Sequence, residues 1–255
     1  MSYKFKNALV RKPSKSIIKA ISSNNINPNY QKICKEHSKY IEALISTKIN
    51  IHILDELEIF PDSMFVEDPA LVYKDNCILL RPGLKSRFGE SLALLKDIRK
   101  YFKEILFTEN GKIEGGDILR IHDHFIIGLS DRTDKIGAEN LSNILKSLGA
   151  SVSISYTPKD ILHFKSECSL IDKNTILLTK KMFRLDLFNK KYNLIEVPEG
   201  EEIVANSLRI NDHLLMPKGF KKTEELLSKL YDIILLDVNE ISKVDAGLSC
   251  MSIRW

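Results

Sequence analysis

Hydrophobic positions along the chain recur in one order: two short apolar runs around a polar turn, a helix-spaced stretch, then one more short run. The turn-centred pair first appears at residues 70–73 and 77–80, around Lys74-Asp75-Asn76. It returns at 118–121 and 125–128 around His122-Asp123-His124, at 169–171 and 175–178 around Asp172-Lys173-Asn174, and at 207–210 and 213–216 around Asn211-Asp212. Each turn carries Asp or Asn, as tight hairpins favour. Helical spacing links Ile33, His37, Tyr40, Ile41 and Leu44, then Leu92, Leu95, Ile98, Phe102 and Ile105. It recurs in Ile136, Leu141, Ile144, Leu145 and Leu148, with Gly149 as a C-terminal stop, and over 223–231. Single short strands follow at 51–54, 105–107, 152–155, 194–197 and 233–236.

The unit is therefore hairpin, helix, strand. A fifth hairpin forms if the alternating segment after Cys250 pairs with the strand at 5–11, which closes a ring. Repeats of about 40–50 residues predict an α/β five-bladed pseudosymmetric ββαβ propeller, with 1–255 as a single domain.

Composition narrows the classes. Hydrophobic content of 44% and charged content of 28% suit a globular chain. Net charge is only +4 and basic residues alternate with acids, so no stripe for nucleic acid is expected. No apolar run is long enough to span a membrane. The four cysteines are scattered without a C-x-x-C pair, which favours a reducing, cytoplasmic setting over a zinc knuckle or disulfide framework. No acid precedes Glu36, but only Arg11 supplies arginine there and 5–11 reads as a strand, so this stretch is expected to belong to the fold.

Five loops join a single strand to the next hairpin, and the pseudosymmetry gathers them at one end of the axis. They hold Asp62, Glu67 and Asp68, then Glu114 and Asp117, then His163, then Ala205 and Asn206, then Cys250. Cys250 reads either as a small buried hydrophobe or as a nucleophile on a turn-to-strand junction. His163 between Leu162 and Phe164 reads either as a core histidine or as its base. Carboxylates beside a thiol raise its pKa, which suits only a cationic substrate, and a planar guanidinium matches paired carboxylates. His122 and His124 fall in a turn with no third ligand nearby and read as turn residues. Cys34, Cys77 and Cys168 read as packing.

At these positions the sequence resembles the dimethylarginine dimethylaminohydrolase family of guanidino-group-modifying enzymes. The resemblance rests on 60–69 (FPDSMFVEDP), Arg81-Pro82-Gly83 with Ser86-Arg87, Glu114-x-Gly116-Asp117, Arg132-Thr133, 162–165 (LHFK), Ala205-Asn206 and 247–252 (GLSCMS), in order along nearly the whole chain. It implies the pentein form of the five-bladed propeller. It implies Cys250 as nucleophile, His163 as general acid and then base, and Glu114 with them in the catalytic set. Asp68 and Glu114 would hold the guanidinium, with Glu67 beside them among the substrate contacts. Arg87 and Arg132 would take the α-carboxylate. Asp62, with backbone groups at Ile21 and Val244, would take the α-amino group. The implied partner is a small molecule, methylated arginine, with no cofactor, no metal, no nucleic acid and no membrane. A homodimer is compatible with the resemblance.

Two rivals share the fold. An arginine deiminase would be longer, with an added helical domain. A non-catalytic binder, such as a ribosome anti-association factor, would need no Cys–His–Glu set.

Overall fold

The computed structural model describes residues 1–255 apart from 25, 189 and 190. The strands are β1 (Asn7–Arg11), β2 (Asn50–Leu54), β3 (Ala70–Tyr73), β4 (Asn76–Leu79), β5 (Glu104–Phe107), β6 (Ile118–Ile121), β7 (His124–Leu129) and β8 (Ser151–Tyr156). They continue as β9 (Cys168–Leu170), β10 (Thr175–Leu178), β11 (Asn193–Glu196), β12 (Leu208–Ile210), β13 (His213–Pro217), β14 (Asp232–Leu236) and β15 (Ile253–Arg254). The helices are α1 (Tyr30–Ser46), α2 (Glu90–Ile98), α3 (Lys135–Ser147), α4 (Lys180–Phe183) and α5 (Lys221–Leu227).

The strands make five three-stranded sheets, ordered β15-β1-β2, β3-β4-β5, β6-β7-β8, β9-β10-β11 and β12-β13-β14. In every blade the first pair is antiparallel and the second parallel, across a helical crossover. The ring closes as the sequence suggests, with Ala8 opposite Arg254 and Leu9 opposite Ile253.

The middle strands explain the apolar runs. In β4, Cys77 and Leu79 enter one interblade cluster while Ile78 enters the next. The same split separates Phe125 and Ile127 from Ile126, Ile176 and Leu178 from Leu177, and Leu214 and Met216 from Leu215. A strand buried on both faces has no solvent side to make polar, so alternation disappears. Burying each such side chain is worth roughly 1.5–3 kcal/mol. The core is thus a set of seams between blades, with the axis left to the first strands.

Differences from the sequence reading are local. Helix α2 stops at Ile98; Phe102 leaves the helix to pack on the Trp255 ring at 5.0 Å, and Ile105 belongs to β5. Helix α5 begins and ends earlier than 223–231. The crossover of the β9-β10-β11 blade holds only the single turn α4, too short to show a periodicity. Gly149 ends α3 with φ +84, as the stop signal requires. No helix among the described residues is long and apolar enough to cross a membrane.

Candidate active site

Strand directions place the site. Each first strand leaves the junction end and the second returns to it, so the loops after β4 and β7, carrying Arg87 and Arg132, end beside the junction loops.

A closed circuit of hydrogen bonds ties the five junction loops together. Gly115 N donates to Asp68 O at 3.1 Å, and Phe164 N to Asp117 Oδ1 at 2.9 Å. Asn206 Nδ2 donates to Lys165 O at 2.9 Å, and its Oδ1 accepts from Ser249 N at 3.1 Å. Glu67 N donates to Cys250 O at 3.2 Å and closes the circuit. Two close approaches demand glycine here. A Cβ on Gly115 would lie 2.0 Å from Glu67 O, and one on Gly116 would lie 2.7 Å from Cγ of His163.

Above this circuit lies a narrow cleft of ≈ 30 Å³. Its walls bring together Ile21, Asp62, Asp68, Arg87, Arg132, His163, Val244 and Cys250, eight of the residues singled out from sequence. Glu114 sits directly behind, fully buried, with Oε2 2.9 Å from Nε2 of His163. Among the described residues its Oε1 has no hydrogen-bond partner, and Arg132 Nη1 stands off at 3.8 Å. Asp62 is half satisfied in the same way: Oδ1 accepts from Ile21 N at 3.2 Å, while buried Oδ2 has no partner among the described residues.

The charges are arranged unequally. Burial would raise the Asp68 carboxyl, but Arg87 and His163 outweigh it and hold it down at about 2. Burial would lower the His163 imidazole; Asp68, Glu114 and Asp117 outweigh it and raise the ring to about 9. The Cys250 thiol is pushed up to about 12, first by burial and then by Glu67 and Asp68. At neutral pH the empty cleft therefore holds a neutral thiol beside an imidazolium. The elevated thiol agrees with the sequence expectation, but burial leads the effect and Glu67 stands where Glu114 was expected.

Three expectations need correction. Cys250 is not on a turn-to-strand junction; it lies in a 3₁₀ turn, Ser249–Met251, and the strand that follows keeps only Ile253 and Arg254. The Glu67 side chain points away from the cleft: its carboxylate meets Lys165 at 2.6 Å, Arg254 at 2.8 Å and Ser249 Oγ at 2.9 Å. The Glu67 amide bonds Cys250 O, and its carboxylate acts on the thiol through its charge without contact. Arg87 is no free anchor, because Nη1 bonds Asp68 at 2.5 Å and lies 4.0 Å from Glu114. Its other edge is held by Glu90, with Nη2 at 2.7 Å and Nε at 3.1 Å from both carboxylate oxygens.

Glu90 was missed in the sequence because it looks like an ordinary acid in the first turn of a helix. Asp117, noted only as a loop acid, braces the site: it accepts from Thr133 Oγ1 and Ser130 Oγ, both at 2.7 Å, as well as from Phe164 N beside His163. Asn206 is a joint between loops and does not line the cleft. Asp68, Glu114 and His163 each offer a ligand atom within 4.8 Å of the others, the donor set in which a metal ion could sit. Arg87 already supplies cationic charge to Asp68 there. His122 and His124 stay apart from the cleft, bonded to Lys173 O and to the Ser151 and Ser153 hydroxyls.

A family model described as arginine deiminase matches residues 99–213. The chain is 35% identical to N(G),N(G)-dimethylarginine dimethylaminohydrolase of Pseudomonas aeruginosa, over 98% of this chain and 100% of that one. It is 26% identical to the protein of the same name from Streptomyces coelicolor, over 98% and 96%. Among solved structures, a cysteine-to-serine mutant of the P. aeruginosa enzyme complexed with citrulline superposes with a TM-score of 0.96 at 34% identity, covering 99% of this chain and 100% of that one. The N-terminal domain of a cyanobacterial arginine dihydrolase, at 15% identity, has a TM-score of 0.84 over 97% of each chain, which shows the shared propeller fold. The full-length identity and the superposition lead to one conclusion: this chain belongs to the dimethylarginine dimethylaminohydrolase family.

Proposed function

We propose that the chain hydrolyses Nω-methylated L-arginine to citrulline and methylamine or dimethylamine, as one catalytic domain spanning 1–255. The observation that carries the reading is the pair of orphaned carboxylate oxygens, Glu114 Oε1 and Asp62 Oδ2. A buried acceptor without a donor is costly, and a ligand that donates to both repairs it. An amino acid with a guanidinium at one end and an ammonium at the other supplies such donors. Arg132, lining the same cleft, is then the cation left for the α-carboxylate.

The chemistry follows from the charges. An arriving guanidinium offsets the burial and the Glu67 and Asp68 charges that keep Cys250 protonated, and the thiol proton leaves to water. The thiolate attacks the guanidinium carbon and a C–S bond forms. His163, an imidazolium in the empty cleft, gives its proton to the departing amine as the C–N bond breaks. The neutral ring then takes a proton from water, whose oxygen displaces the sulfur and releases citrulline. Glu114 stabilises the imidazolium and Asp68 the substrate cation. No step calls on a cofactor. The cytoplasmic location and the homodimer expected from sequence belong to the same proposal.

A colorimetric citrulline assay with asymmetric dimethylarginine, monomethylarginine and arginine tests it. Turnover of the methylated substrates with little or none of arginine is expected. Preference for arginine would favour the deiminase reading suggested by the match over 99–213. No turnover of any would leave a binding protein.

Anchoring is tested at Arg132. Arg132→Ala is expected to raise KM with a smaller change in kcat, by the loss of one charge-assisted bond of roughly 1.5–3 kcal/mol. An unchanged KM would remove the carboxylate from Arg132. Arg87→Ala does not separate anchoring from chemistry, because it also strips buried Asp68 and Glu90 of their cation.

A further inference from the structure

Behind the junction loops, on the opposite side from the cleft, the first strands line a second and larger cavity of ≈ 140 Å³. Its charged lining is four cations, Arg120, Lys165, Arg209 and Arg254, against the single carboxylate of Glu67. Glu67 is shared between Lys165 and Arg254 at the end nearest the junction loops. Arg120 and Arg209 stand near the hairpin-turn end and make no ion pair among the described residues.

These two arginines are built alike. They occupy equivalent positions in β6 and β12, each two residues before a turn residue of positive φ, His122 (φ 57) and Asn211 (φ 53). Arg120 Nε donates to His122 O at 2.9 Å, and Arg209 Nε to Asn211 O at 3.0 Å. Each guanidinium also lies over aromatic rings, Arg120 over Tyr73 at 4.9 Å and Arg209 over Tyr231 at 5.1 Å. The Nε bond and the stacking fix the plane of each group without neutralising it. Two buried polar atoms of the same lining lack a hydrogen-bond partner among the described residues, Arg209 Nη1 and Ser169 Oγ, and Ser169 itself is 9% exposed.

We propose that this cavity binds a tetrahedral oxyanion, inorganic phosphate or the phosphate group of a small metabolite, between the guanidinium groups of Arg120 and Arg209. Asp123 and Asp212 act on Arg120 and Arg209 only from beyond contact distance, so a dianion supplies the contact counter-charge they do not, and it accepts from Arg209 Nη1 and Ser169 Oγ. The site is separate from the catalytic cleft and uses none of its cations.

The test is titration calorimetry with inorganic phosphate at constant ionic strength, on the full chain and on the double variant Arg120→Gln/Arg209→Gln. Saturable binding that weakens at least tenfold in the double variant is expected, with Arg132→Ala binding as the wild type does. Loss of binding in Arg132→Ala with retention in the double variant would place the anion in the catalytic cleft and overturn the proposal, as would no saturable binding by the wild type. If the double variant gives no cooperative melt, wild-type crystals soaked in selenate decide. An anomalous peak beside Arg120 and Arg209 supports the site, and its absence there overturns it.

Discussion

Asp68→Asn is expected to lower kcat/KM by on the order of 10²-fold or more, about 3 kcal/mol, while the protein stays folded. Asp68 meets three partners at once: Arg87 at 2.5 Å, the Gly116 amide at 2.9 Å and the His163 charge. Asparagine keeps the volume and an acceptor for the Gly116 amide but removes the negative charge. The substrate cation then loses its counter-charge, and Arg87 loses one of its two bonded carboxylates. A second readout separates this from simple damage. Asp68 helps raise both the thiol and the imidazole, so the variant's Cys250 should ionise more readily even as turnover falls. Steady-state kinetics showing less than a tenfold loss would remove Asp68 from the guanidinium clamp.

Neutral alkylating reagents are expected to leave Cys250 of the free enzyme almost untouched at pH 7. A thiol held at about 12 is thiolate in only about one molecule in 10⁵ there. The sign is plain: raising pH raises the thiolate fraction, so labelling should climb through the alkaline range without a plateau near neutrality. A guanidinium at about 4 Å is worth up to about 4 kcal/mol at an effective dielectric of 20, roughly three pKa units. That brings the thiol toward the imidazolium of His163, itself at about 9. A small cationic amidine reagent should therefore label Cys250 at much lower pH than iodoacetamide does. Its rate should fall again once His163 loses its proton. Peptide mapping distinguishes Cys250 from partly exposed Cys34. Iodoacetamide titrating Cys250 below about pH 7 would instead indicate a standing thiolate–imidazolium pair.

The blade order was legible because hairpin turns announce themselves with Asp and Asn, and because the helix and strand periods differ. The gathering of Asp62, Asp68, His163 and Cys250 was legible through pseudosymmetry, since equivalent loops must share one end of the axis. Side-chain direction was not. Glu67 and Asp68 are neighbours in sequence, yet one faces the rear cavity and the other the cleft. Charge type says nothing about which way an extended residue turns. Arg87 was read as an anchor for the same reason: its partner Glu90 is three residues on, across a Gly89 at φ +109 that redirects the chain. The 3₁₀ turn at Cys250 escaped notice because a five-residue alternation does not separate a strand from a turn plus two paired residues. Asn206, named from sequence only as part of a junction loop, is a joint, a role visible only once the loops meet.

The central claim is that Cys250 carries the reaction covalently in a cleft built for a guanidinium. Acid quench during turnover of asymmetric dimethylarginine, followed by intact-protein mass spectrometry and peptide mapping, tests it most directly. An amidine adduct is expected on the peptide containing Cys250, enriched when His163→Gly slows its hydrolysis and absent in Cys250→Ser. Citrulline formation with no adduct at any quench time, or with an adduct mapped to Cys34, Cys77 or Cys168, would contradict it.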